Sequence, residues 1–168
     1  MAGKRPAASA RRPASPGVGF LLSQVGGRAA GLFAELLAPL DLTPAHAGVL
    51  RLLSHEPELN QRQLADRLQA VPSRVVALVD DLEQRGLVAR ERRADDRRSH
   101  VLLLTTRGRD ILAELRAVAT AHEAQLTRGL TAQERRTLGE LLLRVAEANG
   151  LVAGVHPGFR DRAGPAGR

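Results

Sequence analysis

The chain has no cysteine, tryptophan or tyrosine among its 168 residues, and it has one methionine and three phenylalanines. The absence of cysteine excludes a disulfide framework, a thiolate zinc site, a cysteine nucleophile and a thiol-based redox sensor. No stretch contains the roughly eighteen or more consecutive apolar residues that a transmembrane helix needs. We therefore expect a cytoplasmic protein without a membrane partner.

Positive charge is in excess, but most of that excess lies near the two ends of the chain. The formal net charge is +7, and basic residues of the first 12 and the last nine positions carry most of it. Between the ends, residues 60–107 contain ten arginines and seven acidic residues, whereas the other central segments are slightly acidic. This asymmetry modestly favours a polyanionic partner at the middle of the chain.

Length and composition predict one folded domain with a tail at each end. Residues 1–16 are rich in Pro, Ala, Ser and Arg, which predicts a disordered basic arm. Residues 151–168 are rich in Gly and Pro, which predicts a flexible tail. The domain itself is expected to span residues 17–150.

Helical periodicity dominates the beginning of this domain. Apolar residues recur at helical spacing through residues 17–40. Thr43 followed by Pro44 predicts the start of a second helix. Asn60, with Gln63 three residues later, predicts the capping box of a third helix.

The centre of the domain combines two short helices with two strand-like runs. A fourth helix is expected to begin at Pro72 and to end at Gly86, so that it forms a helix-turn-helix with the third. LVARE (87–91) and SHVLLL (99–104) are joined by a charged loop and predict a β-hairpin. A helix-turn-helix followed by a hairpin is a winged helix.

Two further helices complete the predicted fold. Thr105 is expected to cap the fifth helix, and Thr131 is expected to form a capping box with Glu134 at the start of the sixth. The fold class is therefore mainly α (α+β), with a winged helix-turn-helix at 42–105 between terminal dimerisation helices at 17–41 and 106–150.

The apolar stripes of the terminal helices are too extensive for a small winged helix to cover. We therefore expect the first, fifth and sixth helices to bury these stripes in a two-fold interface between two copies of the chain. The residues expected in that interface are Leu32, Leu36, Ile111, Leu138 and Leu142.

Three segments resemble the MarR (multiple antibiotic resistance regulator) family of bacterial transcription factors. They are NQRQLADRL (60–68), VVALVDDLEQRGLVARE (75–91) and DDRRSHVLLLTTRG (95–108). The last is similar to the family's wing signature of Asp, any residue and Arg, followed by a strand that ends in Leu-Thr and by a Gly three residues after that Thr. The resemblance covers about residues 17–150. It implies an obligate homodimer that reads a pseudo-palindromic site on double-stranded DNA.

The same resemblance gives the acidic residues of the predicted loop a role. It implies that Arg98 enters a minor groove and that Asp96, two residues earlier, orients its guanidinium group. Fixing a free arginine side chain costs roughly 2 kcal/mol of rotamer freedom, which a preceding carboxylate would reduce. The alternative is that Asp95 and Asp96 only keep the loop soluble. The arginines expected near phosphates are Arg92, Arg93 and Arg97.

The exposed start of the fourth helix is the second predicted DNA-reading surface, and it contains Pro72, Ser73, Arg74 and Ala77. Arg74 is able to bond a guanine base or to contact a phosphate, and the sequence leaves both readings open. The family often has small hydroxyl residues and an arginine at the positions of Arg74 and Ala77, so its base preference does not transfer.

Other arginines of the helix-turn-helix receive plainer interpretations. Arg62, near the start of the third helix, is a candidate phosphate contact. Arg67 and Arg85 are interpreted as ordinary charges on helix surfaces.

The family's effector pocket lies between the dimerisation helices and the winged domain. Arg28, Phe33 and His46 are therefore candidates for binding a small anionic or aromatic effector, although each is also interpretable as a packing residue or a surface charge. Because the chain has so few aromatic residues, any such pocket is expected to be mostly aliphatic.

Two other classes of function remain as alternatives. The five histidines lack metal-binding or catalytic spacing, and no phosphate-binding loop occurs, so we predict no enzyme, no cofactor and no metal site. A winged helix that binds another protein would be expected to have a neutral or acidic recognition face, and Arg74 argues against it.

The acidic loop gives the first testable prediction. Asp96→Asn makes the loop more basic, so net charge alone predicts tighter binding to every duplex. If Asp96 orients a groove-binding arginine, the variant should instead bind its operator more weakly, because that arginine must then be ordered during binding. We expect the weaker binding, measured by titrating operator and scrambled duplexes at two salt concentrations. Tighter operator binding by the variant would make the acidic pair a solubility feature.

Overall fold

The computed structural model describes residues 16–92 and 100–151, which form six α-helices and one two-stranded sheet. The predictions for the arm, the tail and loop residues 93–99 concern residues outside these ranges. The elements are α1 (Val18–Leu37), α2 (Pro44–His55), α3 (Gln61–Leu68), α4 (Pro72–Gln84), β1 (Val88–Arg92), β2 (His100–Leu104), α5 (Thr106–Leu126) and α6 (Ala132–Ala148). This order confirms the predicted mainly α fold with a small sheet.

The predicted side-chain caps begin four of the helices. Each cap accepts a backbone N–H from the first helical turn, which would otherwise lack a partner. At α6, the Thr131 backbone N–H and hydroxyl both donate to the Glu134 carboxylate, and these bonds lower the pKa of that carboxyl group. The capping pairs are Thr43 with His46, Asn60 with Gln63, Thr105 with Gly108, and Thr131 with Glu134.

The predicted first helix is divided in two. α1 ends at Leu37, and a short 3₁₀ turn over Ala38–Leu40 follows it and contains Pro39. Pro39 has no backbone N–H to continue the α-helical ladder, which accounts for the change of helix type.

A single apolar core joins α2, α3, α4, the sheet and the middle of α5. Because its members come from both ends of the helix-turn-helix, the core fixes α3 and α4 relative to the wing. The fully buried large side chains are Leu37, Val49, Leu50, Leu64, Val75, Val79, Leu82, Val88 and Leu102.

The wing is an antiparallel hairpin whose register runs from Val88 opposite Leu104 to Arg92 opposite His100. A contact that the sequence did not predict adds to it, since the Leu102 N–H donates to the Leu59 carbonyl at 2.9 Å. Leu59 immediately precedes the cap of α3, so this bond ties the wing to the helix-turn-helix.

A close contact at the start of α5 explains the spacing of threonine and glycine in the wing segment. The Thr105 hydroxyl donates to the Gly86 carbonyl at 2.7 Å, and the Thr105 N–H donates to the Leu87 carbonyl at 3.2 Å. A Cβ atom on Gly108 would lie 2.1 Å from the same Leu87 oxygen. Glycine is therefore required three residues after the cap, where α5 packs against the connection between α4 and β1.

This contact predicts that Gly108→Ala is destabilising even though alanine favours helices. The added methyl group forces α5 away from Leu87, and we expect the free energy of unfolding to fall by about 2 kcal/mol or more. Gly19→Ala is the matched control, because nothing lies within 4 Å of its added Cβ. Chemical denaturation should show an unchanged or higher stability for the control. Equal stability of the Gly108 variant and the wild type would contradict the packing described.

Candidate nucleic-acid interface

The start of α4 forms an exposed surface with one cation, one hydroxyl and several small apolar groups. Arg74 is partly buried there, and no side chain caps the helix at Val71. The N-terminal end of a helix carries partial positive charge, which favours a phosphate nearby. Apolar groups of this size are able to contact thymine methyl groups in a major groove. The exposed residues of this surface are Val71, Pro72, Ser73, Val76 and Ala77.

Val71 and Val76 were not predicted as part of this surface. They are 46% and 41% exposed, which is unusual for valine within a helix-turn-helix that has a well-packed core. The sequence marked these two valines only through their positions next to Pro72 and Ala77, which were predicted as part of the surface.

The predicted phosphate contacts are only partly within the described ranges. Arg62 is exposed on α3, and Arg92 is exposed at the end of β1. The remaining predicted wing residues lie outside those ranges, and they are Arg93, Asp96, Arg97 and Arg98.

All three acidic residues of α4 pair with arginines of the surrounding fold. Arg90, on β1, places one guanidinium nitrogen on Asp80 and another on Glu83. Burial of Arg90 opposes its charged form, but the bonds and charges of these two carboxylates outweigh burial and raise its pKa. The acidic half of α4 is therefore neutralised within the protein, and it does not offset the positive charge at the helix start.

The third acidic residue of α4, Asp81, contacts two partners. Arg85 Nε donates to Asp81 Oδ2 at 2.9 Å, and His46 Nε2 lies 3.0 Å from the same oxygen. Hydrogen bonds from Arg85 to Asp81 and Asp41 raise the pKa of the Arg85 guanidinium. Arg85 thus joins separate parts of the fold and is more than the ordinary surface charge expected.

His46, a predicted effector residue, is 6% exposed and occupies a structural position. Its Nδ1 accepts the Thr43 N–H at 3.2 Å, so the proton of the neutral ring lies on Nε2 and faces Asp81. Burial lowers the pKa of His46, although the Asp81 carboxylate acts in the opposite direction.

The other two predicted effector residues contact partners of their own. Arg28 forms an exposed ion pair with Glu35 at 3.1 Å, and Phe33 packs against the ring of His122 with the centroids 5.2 Å apart. Arg28 lines a cavity of about 390 Å³ between α1 and the end of α5, but Phe33 and His46 do not line it. Of the three predicted effector residues, Arg28 alone lines this cavity.

A second, larger groove was not predicted from the sequence. It has a volume of about 770 Å³ and lies between the end of α2, the wing and α5. Leu53, Leu103 and Leu112 contribute apolar surface, and Arg109 and Arg116 contribute positive charge. The lining is about half apolar and half polar, and Glu91 faces the same groove as the two arginines. The net charge of the lining is therefore positive, which suits a small molecule that carries both apolar and anionic groups.

Within residues 16–92 and 100–151, no group of three or more His, Asp or Glu side chains is arranged to hold a metal ion. No helix in the same ranges has the length and apolar character to cross a membrane.

A recognition helix with an exposed basic start, fixed at its other end to an antiparallel wing, defines the class of winged helix-turn-helix proteins. The MarR family pattern matches residues 40–99 of the chain. An HTH-type transcriptional repressor of Mycobacterium tuberculosis is 33% identical over 125 residues, which cover 74% of this chain and 90% of that protein. The chain therefore belongs to the MarR family of transcriptional regulators.

Solved structures agree with this assignment. Wild-type MarR from E. coli has a TM-score of 0.69 and 29% identity, over 77% of this chain and 96% of that one. The repressor CouR bound to a 23-mer DNA duplex has a TM-score of 0.68 and 41% identity, over 77% and 92%. CouR from Rhodococcus jostii RHA1 bound to p-coumaroyl-CoA has a TM-score of 0.65 and 34% identity, over 79% and 93%.

Two arginines of α3 provide a matched test of the interface. Arg62 is exposed, whereas Arg67 Nε is held by Glu56 Oε2 at 2.7 Å. If Arg62 contacts a phosphate, Arg62→Ala should weaken binding to all duplexes alike and should reduce the salt slope by about one. Arg67→Ala also removes one positive charge, but it should leave duplex binding and the salt slope unchanged. Equal effects of the two variants would show that only net charge matters.

Arg74→Ala would decide between the two roles that the sequence left open for this residue. A base contact predicts a loss of about 1 to 3 kcal/mol on the operator and relaxed preference at one base pair. A phosphate contact predicts the same loss on operator and scrambled duplexes, with a smaller salt slope. Fluorescence titrations against single-base operator variants separate these results.

Proposed function

We propose that the protein is a homodimeric transcriptional repressor that binds a dyad-symmetric DNA site. Each α4 enters a major groove with its exposed start, and each wing contacts the adjacent minor groove. The observation that carries this proposal is the charge arrangement of α4. Its acidic residues are paired inside the protein, and its exposed first turn bears Arg74 in a fold shared with DNA-bound CouR.

Unpartnered apolar surface supports the dimer. No residue of α6 is buried within the protomer, and Leu138 and Leu142 are 39% and 41% exposed. Phe20 and Val25 on α1 are 59% and 57% exposed. Apolar surface of this extent on two terminal helices favours burial against a second copy.

Not all of the predicted interface residues are equally placed for this role. Leu32 is already 4% exposed within the protomer, and Ile111 packs against the core. Leu36 is partly buried. The two leucines of α6 are therefore the most informative positions for a test.

Control by a small molecule is the finer part of the proposal. CouR bound to p-coumaroyl-CoA is a similar protein that holds an acyl thioester with anionic groups. In this chain, the groove beside Arg109 and Arg116 combines aliphatic and hydroxyl groups with a net positive charge, of which Glu91 offsets one unit. An effector that is apolar at one end and anionic at the other fits that lining better than a purely aromatic one.

The dimer and the DNA site are testable together. The double variant Leu138→Gln/Leu142→Gln should be a folded monomer at micromolar concentration, and Arg144→Gln on the same helix should remain a dimer. Light scattering gives the mass, and nuclease footprinting on the region upstream of the protein's own gene gives the site. We expect symmetric protection by the wild type and the control, and its loss in the double variant.

Two results would contradict the proposal. A wild-type chain that is monomeric and folded would remove the basis for a dyad-symmetric site. A stable dimer that protects no duplex in the upstream region or in a random-sequence selection would favour the alternative of a winged-helix module that binds protein.

A further inference from the structure

The backbone turns sharply at Asp41, between α1 and α2. Asp41 has φ 54 and ψ 37, so it adopts the left-handed conformation that few residues other than glycine, asparagine and aspartate accept readily. Its N–H donates to the Ala38 carbonyl at 2.9 Å, and the next N–H, of Leu42, donates to the Leu37 carbonyl at 3.3 Å. The direction in which α1 leaves the winged helix is therefore determined at this residue.

Arg85 binds this turn from the other side of the helix-turn-helix. It caps the C-terminus of α4, and its Nη1 donates to the Asp41 carbonyl at 2.7 Å and to Asp41 Oδ2 at 2.5 Å. The two residues are 44 positions apart. One guanidinium group thus connects the end of the recognition helix to the junction with the dimerisation helix.

Further contacts hold the Arg85 guanidinium in position. Arg85 Nε donates to Asp81, one turn earlier on α4, and the same carboxylate lies against His46 Nε2. His46 is itself fixed on α2 by the reciprocal bonds with Thr43. We name the four residues Asp41, His46, Asp81 and Arg85 the junction network.

The junction network contributes more to orientation than to stability. The Asp41 side chain is 87% exposed, and an ion pair in such a position adds little free energy because water and salt screen it. The buried apolar contacts around Leu37, which is 0% exposed, supply the stability at this place. Apolar contacts are not directional, however, whereas bonds from a planar guanidinium are.

We propose that the junction network sets the angle between α1 and α4, and that it thereby fixes the separation of the two recognition helices in the dimer. Arg85 and Asp41 are positioning residues for DNA binding, and they act without touching DNA. The inference rests on the proposed dimeric repressor, because the separation has a consequence only when two copies bind half-sites at a fixed distance.

A spin-label distance tests this inference without DNA. The chain has no cysteine, so Ala77→Cys on exposed α4 gives one label for each protomer. We expect one narrow distance distribution between the two labels in the free dimer and a broader one after Arg85→Gln. Arg67→Gln is the control, since it removes an arginine–carboxylate pair of α3 and should leave the distribution narrow.

Graded variants separate geometry from charge. Arg85→Lys keeps the charge but cannot provide Nε and Nη1 in one plane, so it should resemble Arg85→Gln. Asparagine also accepts the left-handed conformation, and Asp41→Asn keeps the backbone carbonyl that accepts a bond from Arg85. Its effect should therefore be smaller than that of the Arg85 variants. Asp41→Asn also keeps the inference testable if the Arg85 variants fail to fold, which thermal unfolding would reveal.

Duplexes with altered half-site spacing give the second readout. The wild type should prefer one spacing strongly over spacings that differ by one or two base pairs. Arg85→Gln is expected to lower, by about tenfold, the population of dimers whose recognition helices have the separation that the preferred spacing requires. Binding at the preferred spacing should then weaken about tenfold, and binding at the other spacings should change little. A purely structural role would weaken binding at every spacing equally.

The outcomes distinguish the inference from the function on which it rests. Unchanged label distances and an unchanged spacing preference in Arg85→Gln, with the wild type dimeric and bound to DNA, would overturn the junction network alone. If the labelled protein without the Arg85 substitution gives no measurable distance between two labels, it is a monomer. That result would overturn both the dimer and the inference. Broadened distances without any DNA binding by the wild type would support the network and contradict the proposed repressor.

Discussion

The pairing of the acidic half of α4 with Arg85 and Arg90 is the interaction on which the DNA-reading surface depends. Asp81 holds Arg85 toward the α1 junction, while Asp80 and Glu83 hold Arg90 on the first strand of the wing. The recognition helix is thus fixed at its C-terminal end to both neighbours. Its first turn remains exposed, as a helix that enters a groove requires.

This arrangement also determines the local field. Three carboxylates beside a DNA-binding surface would repel phosphates if they were unpaired. Here each is within bonding distance of the Arg85 or Arg90 guanidinium, so its charge is offset locally although the carboxylates are 38% to 48% exposed to water. The acidic residues of the segment VVALVDDLEQRGLVARE are therefore compatible with a polyanionic partner.

The sequence predicted features that depend on residues close together in the chain. The capping pairs Asn60–Gln63 and Thr131–Glu134 are three residues apart, and their chemistry was readable directly. The bonds between Arg85 and Asp41 join residues 44 positions apart, and the periodicity of one helix contains no information about them. For the same reason, the sequence did not show that Phe33 packs against His122 or that His46 contacts Asp81.

Asp41 lies where the part of the chain that serves dimerisation meets the part that reads DNA. α6 and the beginning of α1 have apolar surface that the protomer does not cover, whereas the core lies around the helix-turn-helix. Dimerisation and DNA reading therefore depend on different parts of the chain, and the short turn after α1 is one place where they meet. A dimer with a well-packed interface would still bind DNA poorly if this turn were free to bend, because each recognition helix would then sample many separations. A polar network at this turn restricts those separations at little cost in stability, since the Asp41 carboxylate stays accessible to water and the buried His46 has a partner on each ring nitrogen.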